Sequence, residues 1–292
     1  MVKDLGKKLN IIRKHLHLTK EELAQGICPP SIISLLEKSN LFRLDPVIIE
    51  PLCQRLGIDS AFLNKDISFF RQMEEVNQVC ERISYFVQER RYQEAYDCVL
   101  AVENKPMYQE RTHIQKFMLW RKAISINYLF KDQLAALELL DLALEKSDTT
   151  SRNFSILDMN ILNSKAIILN ELGDVQLSYN LSQKVIFFIH EIPYQIHKET
   201  CIKIYYNSSR IAFKAGEMEE GLRLCQLGID LCRREKISYL LGYLFFQKAE
   251  CLKYVDPTNK PNYERYYLKA IQLFEKENNY QTVDRIREKM EA

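Results

Sequence analysis

Eight cysteines (28, 53, 80, 98, 201, 225, 232, 251) and five histidines (15, 17, 113, 190, 197) are the side chains best suited to metal ligation or nucleophilic attack in this 292-residue chain. Their spacing supports neither role. There is no C-x-x-C pair and no Cys/His ligand spacing. The histidines show no ligand or triad pattern, and no glycine-rich phosphate loop is present. Cys225 and Cys232 stand seven apart, on one face of a helix. The cysteines therefore read as small buried hydrophobes in a reducing compartment. No enzyme, metal or cofactor is expected.

A second set of residues suits recognition rather than catalysis. Asn163, Asn207 and Gln247 each interrupt an apolar helical run, in Ile161-Leu162-Asn163, Tyr205-Tyr206-Asn207 and Phe245-Phe246-Gln247. A carboxamide carries both a donor and an acceptor, so it can pair with a peptide unit whatever the side chain. Tyr205, Tyr206, Tyr243 and Phe245 beside them would supply apolar pockets. Taken singly, such amides are commonly surface or inter-helix residues; their recurrence is what points to a peptide ligand.

Charge points to a further partner. The net charge is only +2, yet residues 1–65 hold ten Lys+Arg against seven Asp+Glu, and the remainder holds 31 against 32. The excess lies at the N-terminal end, where Arg13, Lys20, Lys38 and Arg43 could meet phosphates.

The elements that must position these groups are helical. Only 8 Gly and 8 Pro occur, too few for a turn-rich fold, so the chain is expected to be all-α. Leu5, Leu9, Ile12 and Leu16 recur at helical spacing. Thr19 and Glu22 form a capping box that starts a second helix near Lys20. Gly26 ends it, and Pro29-Pro30 opens a third. On that third helix Ile33 and Leu36 should face inward, leaving Ser31, Ile32, Ser34, Leu35 and Lys38 outward. Helix, glycine turn, helix is helix-turn-helix geometry, with the last helix in the major groove. Met1-Val2-Lys3-Asp4 lacks the apolar segment of a secretory leader, and the longest apolar run, Val185 to Ile189, is too short to span a bilayer. A cytoplasmic protein is expected.

Beyond residue 70 the chain repeats. Anchors at 95, 136, 178, 221 and 263 are spaced 41, 42, 43 and 42 apart. Seven residues after them stand Val102, Ala143, Val185, Gly228 and Ala270; twelve before stand Ile83, Ile124, Ala166, Ser209 and Cys251. Mostly small residues at fixed offsets let the two helices of a hairpin approach closely. The pattern resembles tetratricopeptide repeats lengthened by about one turn per helix, clearest in Leu172-Gly173-Asp174 and Tyr267-Leu268-Lys269-Ala270-Ile271. The expected organisation is a helix-turn-helix bundle over 1–65, a linker helix over 66–76, and a superhelical array of about five helical hairpins over 77–292, used for peptide binding and dimerisation.

The run from Leu18 to Glu37 resembles the phage-repressor helix-turn-helix family, continuing through Pro46, Leu52, Leu56 and Gly57. It departs from that family at Lys20, where Gln is usual, and at Ile32 and Leu35, which make the reading face apolar. Such a face can meet thymine methyls but offers few base-edge hydrogen bonds. The whole chain resembles the RNPP family of peptide-responsive quorum-sensing regulators, closest to its PlcR-like branch. The fragments that carry this are Ile27-Cys28, Arg91-Tyr92, Asn163 with Gly173, Tyr206-Asn207 and Gln247 to Leu252. The resemblance implies a homodimeric transcription regulator, an activator, on an inverted-repeat DNA operator, controlled by a short signalling peptide. It implies that Asn163 and Asn207 grip the peptide backbone, with Tyr243, Gln247 and Tyr280 beside them. A lysine pair that meets the peptide's negative end is represented here by Gln88 and Arg90. The competing expectation is an adaptor that holds a protein partner without reading DNA.

Overall fold

A computed structural model describes residues 4–15, 18–38, 46–56, 58, 63–146, 155–191 and 196–291. Among them every regular element is helical. The chain divides into two units, Met1–Arg111 and Thr112–Ala292.

In the first unit, α1 (Leu5–His15) sets Leu5, Leu9 and Ile12 into a core with Leu23, Ala24, Ile33, Leu36 and Leu52. Leu16 lies outside the described residues. The α2 helix (Lys20–Ala24) begins at the expected capping box: Glu22 N–H donates to Thr19 Oγ1 at 3.1 Å, and Thr19 N–H donates to Glu22 Oε2 at 2.6 Å. Gly26 then takes a left-handed φ of 72°, and Pro30 opens α3 (Pro30–Lys38). A feature the sequence pattern did not suggest is Gly6. A Cβ there would lie 1.7 Å from the Leu36 carbonyl oxygen, so the absence of a side chain lets α1 lie directly on α3. The bundle continues with α4 (Pro46–Arg55), and Arg55 Nη1 donates to the carbonyls of Glu22, Leu23 and Gln25, satisfying the open C-terminal end of α2. The expected linker helix is the start of a longer one: α5 runs unbroken over Ile67–Gln88, capped by Asp66. It buries Phe70 in the bundle core and forms a hairpin with α6 (Tyr92–Val102), which a short α7 (Pro106–Gln109) follows.

Among the described residues the second unit holds four hairpins: α8 (Thr112–Leu129) with α9 (Gln133–Glu145), α10 (Ile156–Leu172) with α11 (Val175–Glu191), α12 (Lys198–Lys214) with α13 (Met218–Glu235), and α14 (Leu241–Val255) with α15 (Lys260–Lys276); α16 (Tyr280–Glu291) follows them. With α5 and α6 this makes five, the number the period implies. The anchors work by close approach. Ala95 and Ala136 are fully buried. Ser178 Oγ donates to the Ala166 carbonyl at 2.6 Å across its hairpin. A Cβ on Gly221 would stand 3.1 Å from Cys251 Sγ, and one on Gly228 2.8 Å from Leu244 Cδ1. One offset differs from expectation: in the α8–α9 hairpin Ala123, not Ile124, is the fully buried contact, and Ile124 only borders the core.

Candidate functional site

Two sets of side chains bear on function, and each is built by its own unit. In the first unit, α3 presents its length to solvent on one side. Ile33 and Leu36 are buried; Ser31, Leu35 and Lys38 are exposed; Ser34 is half-buried. Ile32 is also half-buried and packs against the bundle core, so it reaches outward less than its position implied. Lys20 Nζ lies 3.3 Å from Ser34 Oγ and 3.7 Å from Glu37 Oε2, which ties this cation to α3. Arg13 departs from expectation. It is buried, its Nε and Nη2 donate to Glu37 at 2.7 and 3.1 Å, and its Nη1 donates to the Leu18 carbonyl at 2.7 Å. A guanidinium so committed is an internal clamp between α1 and α3 rather than a surface phosphate contact. Burial opposes the charge of Glu37, but hydrogen bonds from Arg13 and Asn10 and the charges of Arg13 and Lys20 outweigh it and hold the carboxyl below the usual range. Arg43 lies outside the described residues.

In the second unit the first helices of successive hairpins, α8, α10, α12 and α14, lie side by side, and the first three exchange polar contacts one repeat apart. From α8 to α10, Lys116 pairs with Asp158, Trp120 Nε1 donates to Ser164 Oγ at 2.8 Å, and Asn127 Nδ2 donates to Glu171 Oε2 at 3.1 Å. From α12 to α10, Lys203 Nζ donates to Asn160 Oδ1 at 3.2 Å and Asn207 Nδ2 to Asn163 Oδ1 at 3.4 Å. The two asparagines expected to act together are thus in contact. Asn163 is buried and Asn207 half-buried. Their mutual bond uses one acceptor and one donor, and among the described residues Asn163 Nδ2 and Asn207 Oδ1 make no other hydrogen bond. A peptide group needs one donor and one acceptor opposite it, and this pair presents both.

The remaining expected residues divide. Tyr243 stacks edge-on with Phe274 at 4.7 Å and lies 5.7 Å from Tyr206, making an aromatic wall beside Asn207. Gln247 is buried and its Nε2 lies 3.7 Å from Cys251 Sγ, directed along its own helix. Tyr280 is exposed at the start of α16, its hydroxyl 3.4 Å from Asn278 Oδ1. Gln88 and Arg90 belong to the first unit, both exposed at the turn between α5 and α6. Two amides escaped the sequence reading: Asn127 and Asn170 are buried with Oδ1 atoms that find no partner among the described residues. They stand 43 residues apart, the same repeat spacing that should have revealed them.

Elsewhere, Cys53, Cys201, Cys225, Cys232 and Cys251 are buried. Burial pushes the Cys232 thiol up to about 11, which suppresses its thiolate at neutral pH. No described helix is long and apolar enough to cross a membrane.

Together these observations define a class: a helix-turn-helix bundle followed by tandem helical hairpins whose first helices carry a polar, aromatic-flanked layer. The profile of the RNPP family C-terminal domain matches residues 80–289. The chain belongs to the RNPP family. Its fold is similar to that of Bacillus thuringiensis PlcR in complex with the peptide PapR7 and DNA, at 22% identity and a TM-score of 0.67 over 97% of this chain and 99% of that one. The apo form of the same protein matches at 20% identity, again with a TM-score of 0.67 over 97% and 99%. The pheromone receptor Rgg2 of Streptococcus dysgalactiae matches at 14% identity and 0.50 over 98% of each chain. No curated protein sequence matches the chain.

Proposed function

We propose that this protein is a cytoplasmic, homodimeric transcription regulator, not an enzyme, whose DNA binding is controlled by a short peptide held on the first-helix layer of its second unit. The observation that carries the peptide reading is the Asn163–Asn207 pair, with one donor and one acceptor left to offer. Ordering a short peptide is entropically costly, so binding needs main-chain hydrogen bonds and apolar burial together. The amides supply the first, and the half-buried Tyr206 and Tyr243 the second. Gln247 and Tyr280 complete the proposed contacts by resemblance to the family. The PlcR structure in complex with peptide and DNA supports both halves of the reading.

DNA is read by Ser31, Ser34 and Leu35 of α3, with Ile32 at the margin and Lys20, Lys38 and Arg43 on phosphates. Arg13 is withdrawn from this set. Two such bundles in a dimer require half-sites about one helical turn apart or a multiple of it, hence an inverted-repeat operator. Genomic selection followed by footprinting tests this. Symmetric protection that responds to added peptide is the expected outcome. A protein that retains peptides but selects no DNA would instead be the adaptor, and the apolar Leu35 on the reading face would then be part of its docking surface.

A further inference from the structure

The middle stretches of three first helices hold cations and no acid: Lys165 within 159–170 of α10, Lys203, Arg210 and Lys214 within 200–214 of α12, and Lys248 within 241–249 of α14. Two of these turn to second helices, Lys165 to Asp141 on α9 and Lys248 to Gln226 on α13. Lys203 and Lys214 reach across to α10, donating to Asn160 Oδ1 at 3.2 Å and to the Asn170 carbonyl at 3.5 Å. Arg210 is left over. It is exposed, and among the described residues its guanidinium meets the Tyr206 ring, 5.7 Å from the centroid, and neither a hydrogen-bond acceptor nor a carboxylate. The local sequence accounts for this. On α13, Arg223 and Arg233 each pair with the acid three residues before, Glu220 and Asp230; three residues before Arg210 stands Asn207. At about 100° per residue, Arg210 lies about 40° around α12 from Tyr206 and about 60° the other way from Asn207, one turn further on. It thus stands between the aromatic wall and the amide of the peptide layer. A ring beneath a guanidinium steadies its orientation and leaves its N–H fork open to a carboxylate.

We infer that Arg210 receives a carboxylate of the bound peptide and makes the site selective for a negatively charged ligand. The assignment rests on the peptide reading above and sharpens it. With no acid on these stretches to compete, the fitting ligand is an acidic short peptide, and the carboxylate is its C-terminus or an acidic side chain near the segment held at Asn207. An exposed ion pair alone is worth roughly a few-fold in affinity. Here the peptide itself would cover the Tyr206 side of the pair, and the fork can bind both carboxylate oxygens, so about five- to thirtyfold is expected.

The test uses the full-length protein and a synthetic random-sequence short-peptide library made in two forms, free acid and C-terminal amide, with retained peptides identified by mass spectrometry. Preference for the free-acid pool marks the C-terminus as the partner; enrichment of Asp and Glu in the amidated pool marks a side chain. Retained peptides are then remade with that carboxylate as a carboxamide, and both forms are titrated by calorimetry. R210Q, confirmed folded by thermal melting, should bind the charged form about five- to thirtyfold more weakly than the wild type does, and the neutral form equally well. R210K should fall between the two, since an ammonium keeps the charge and loses the fork. Three results overturn the inference: retained peptides with no preference for a carboxylate, an R210Q variant that keeps the full preference, or one that weakens both forms equally, as loss of packing on Tyr206 alone would do. Retention of neither pool by the wild type would instead overturn the peptide reading, and the assignment of Arg210 with it.

Discussion

Glu37→Gln is expected to loosen the helix-turn-helix bundle selectively. Glu37 is the meeting point of three helices: it accepts from Asn10 at 2.5 Å and from Arg13 at 2.7 and 3.1 Å, both on α1, and lies 3.7 Å from Lys20 on α2. Its side chain is 5% exposed and that of Arg13 10%. Removing one partner of a buried ion pair costs about 3–5 kcal/mol, chiefly because the other charge is left uncompensated. Glutamine keeps one acceptor oxygen and Arg13 keeps the Leu18 carbonyl, so about 2–3 kcal/mol is expected here. That corresponds to a roughly 30- to 140-fold rise in the population of opened bundle. Hydrogen exchange read by mass spectrometry on the intact chain should show amides of α1–α3 losing protection by this amount, with α8–α15 unchanged. Arg13→Met added to the Glu37→Gln variant should restore part of the loss, since it removes the stranded charge. The acid limb follows from the same geometry. The folded pKa of Glu37 lies below its unfolded value, so its stabilisation is complete above the unfolded value and is lost as pH falls through the folded one. The variant should lack that part of the acid decline. A change below about 0.5 kcal/mol in Glu37→Gln, or a double variant whose losses simply add, would refute the account.

Other outcomes follow from the same structure. Lys131 holds a left-handed φ of 56° in the α8–α9 turn; Lys131→Gly should raise the thermal stability of the second unit by about 0.5–1 kcal/mol, measured as a shift in melting midpoint followed by Trp120 fluorescence. Gly6→Ala should destabilise far more than Gly228→Ala, because the first meets backbone and the second the mobile end of Leu244; chemical denaturation of the two variants should separate them by about 2 kcal/mol or more. Asn207→Ala should weaken peptide binding by calorimetry about ten- to a hundredfold. Lys20→Ala should lower affinity for all DNA sequences alike and reduce the slope of binding against salt, although the loss of its tie to Ser34 should also blunt sequence preference.

The fold was legible wherever the signal was local or strictly periodic. Capping at Thr19, helix opening at Pro30 and five hairpins all follow from a few residues at fixed spacing. The turn register was harder. Arg90, Lys131, Gly173 and Gly216 each take a left-handed φ five residues before their anchors, yet only two are glycine, so composition hides the repetition. Arg13 misled because a cation on an amphipathic helix looks the same in sequence whether it faces solvent or a buried glutamate 24 residues away. The surroundings of Gln247 were hidden for a related reason. It occupies a polar slot in an apolar helix, but its partner is Cys251, one turn on, rather than the neighbouring hairpin.

The distribution of buried polarity in the second unit argues that its first-helix layer is a binding surface. Its buried amides and charges, Lys116, Asn127, Asp158, Asn163, Asn170 and Gln247, all lie on α8, α10 and α14. Among the described residues the polar side chains buried on the second helices are serines, Ser178 and Ser182, and each bonds to a backbone carbonyl nearby. α9 buries Ala136, Leu140 and Ala143 and nothing polar. Hairpins that needed only to stack would be more stable with apolar residues in both layers, because a buried amide contributes little when satisfied and costs about 1–3 kcal/mol when it is not. Asn127 and Asn170 each hold a buried acceptor unmatched among the described residues. Asn163 and Asn207 meet each other through one mutual bond. The two unmet acceptors lie on adjacent first helices at one repeat spacing, so the polarity of this layer recurs with the hairpins rather than falling at random.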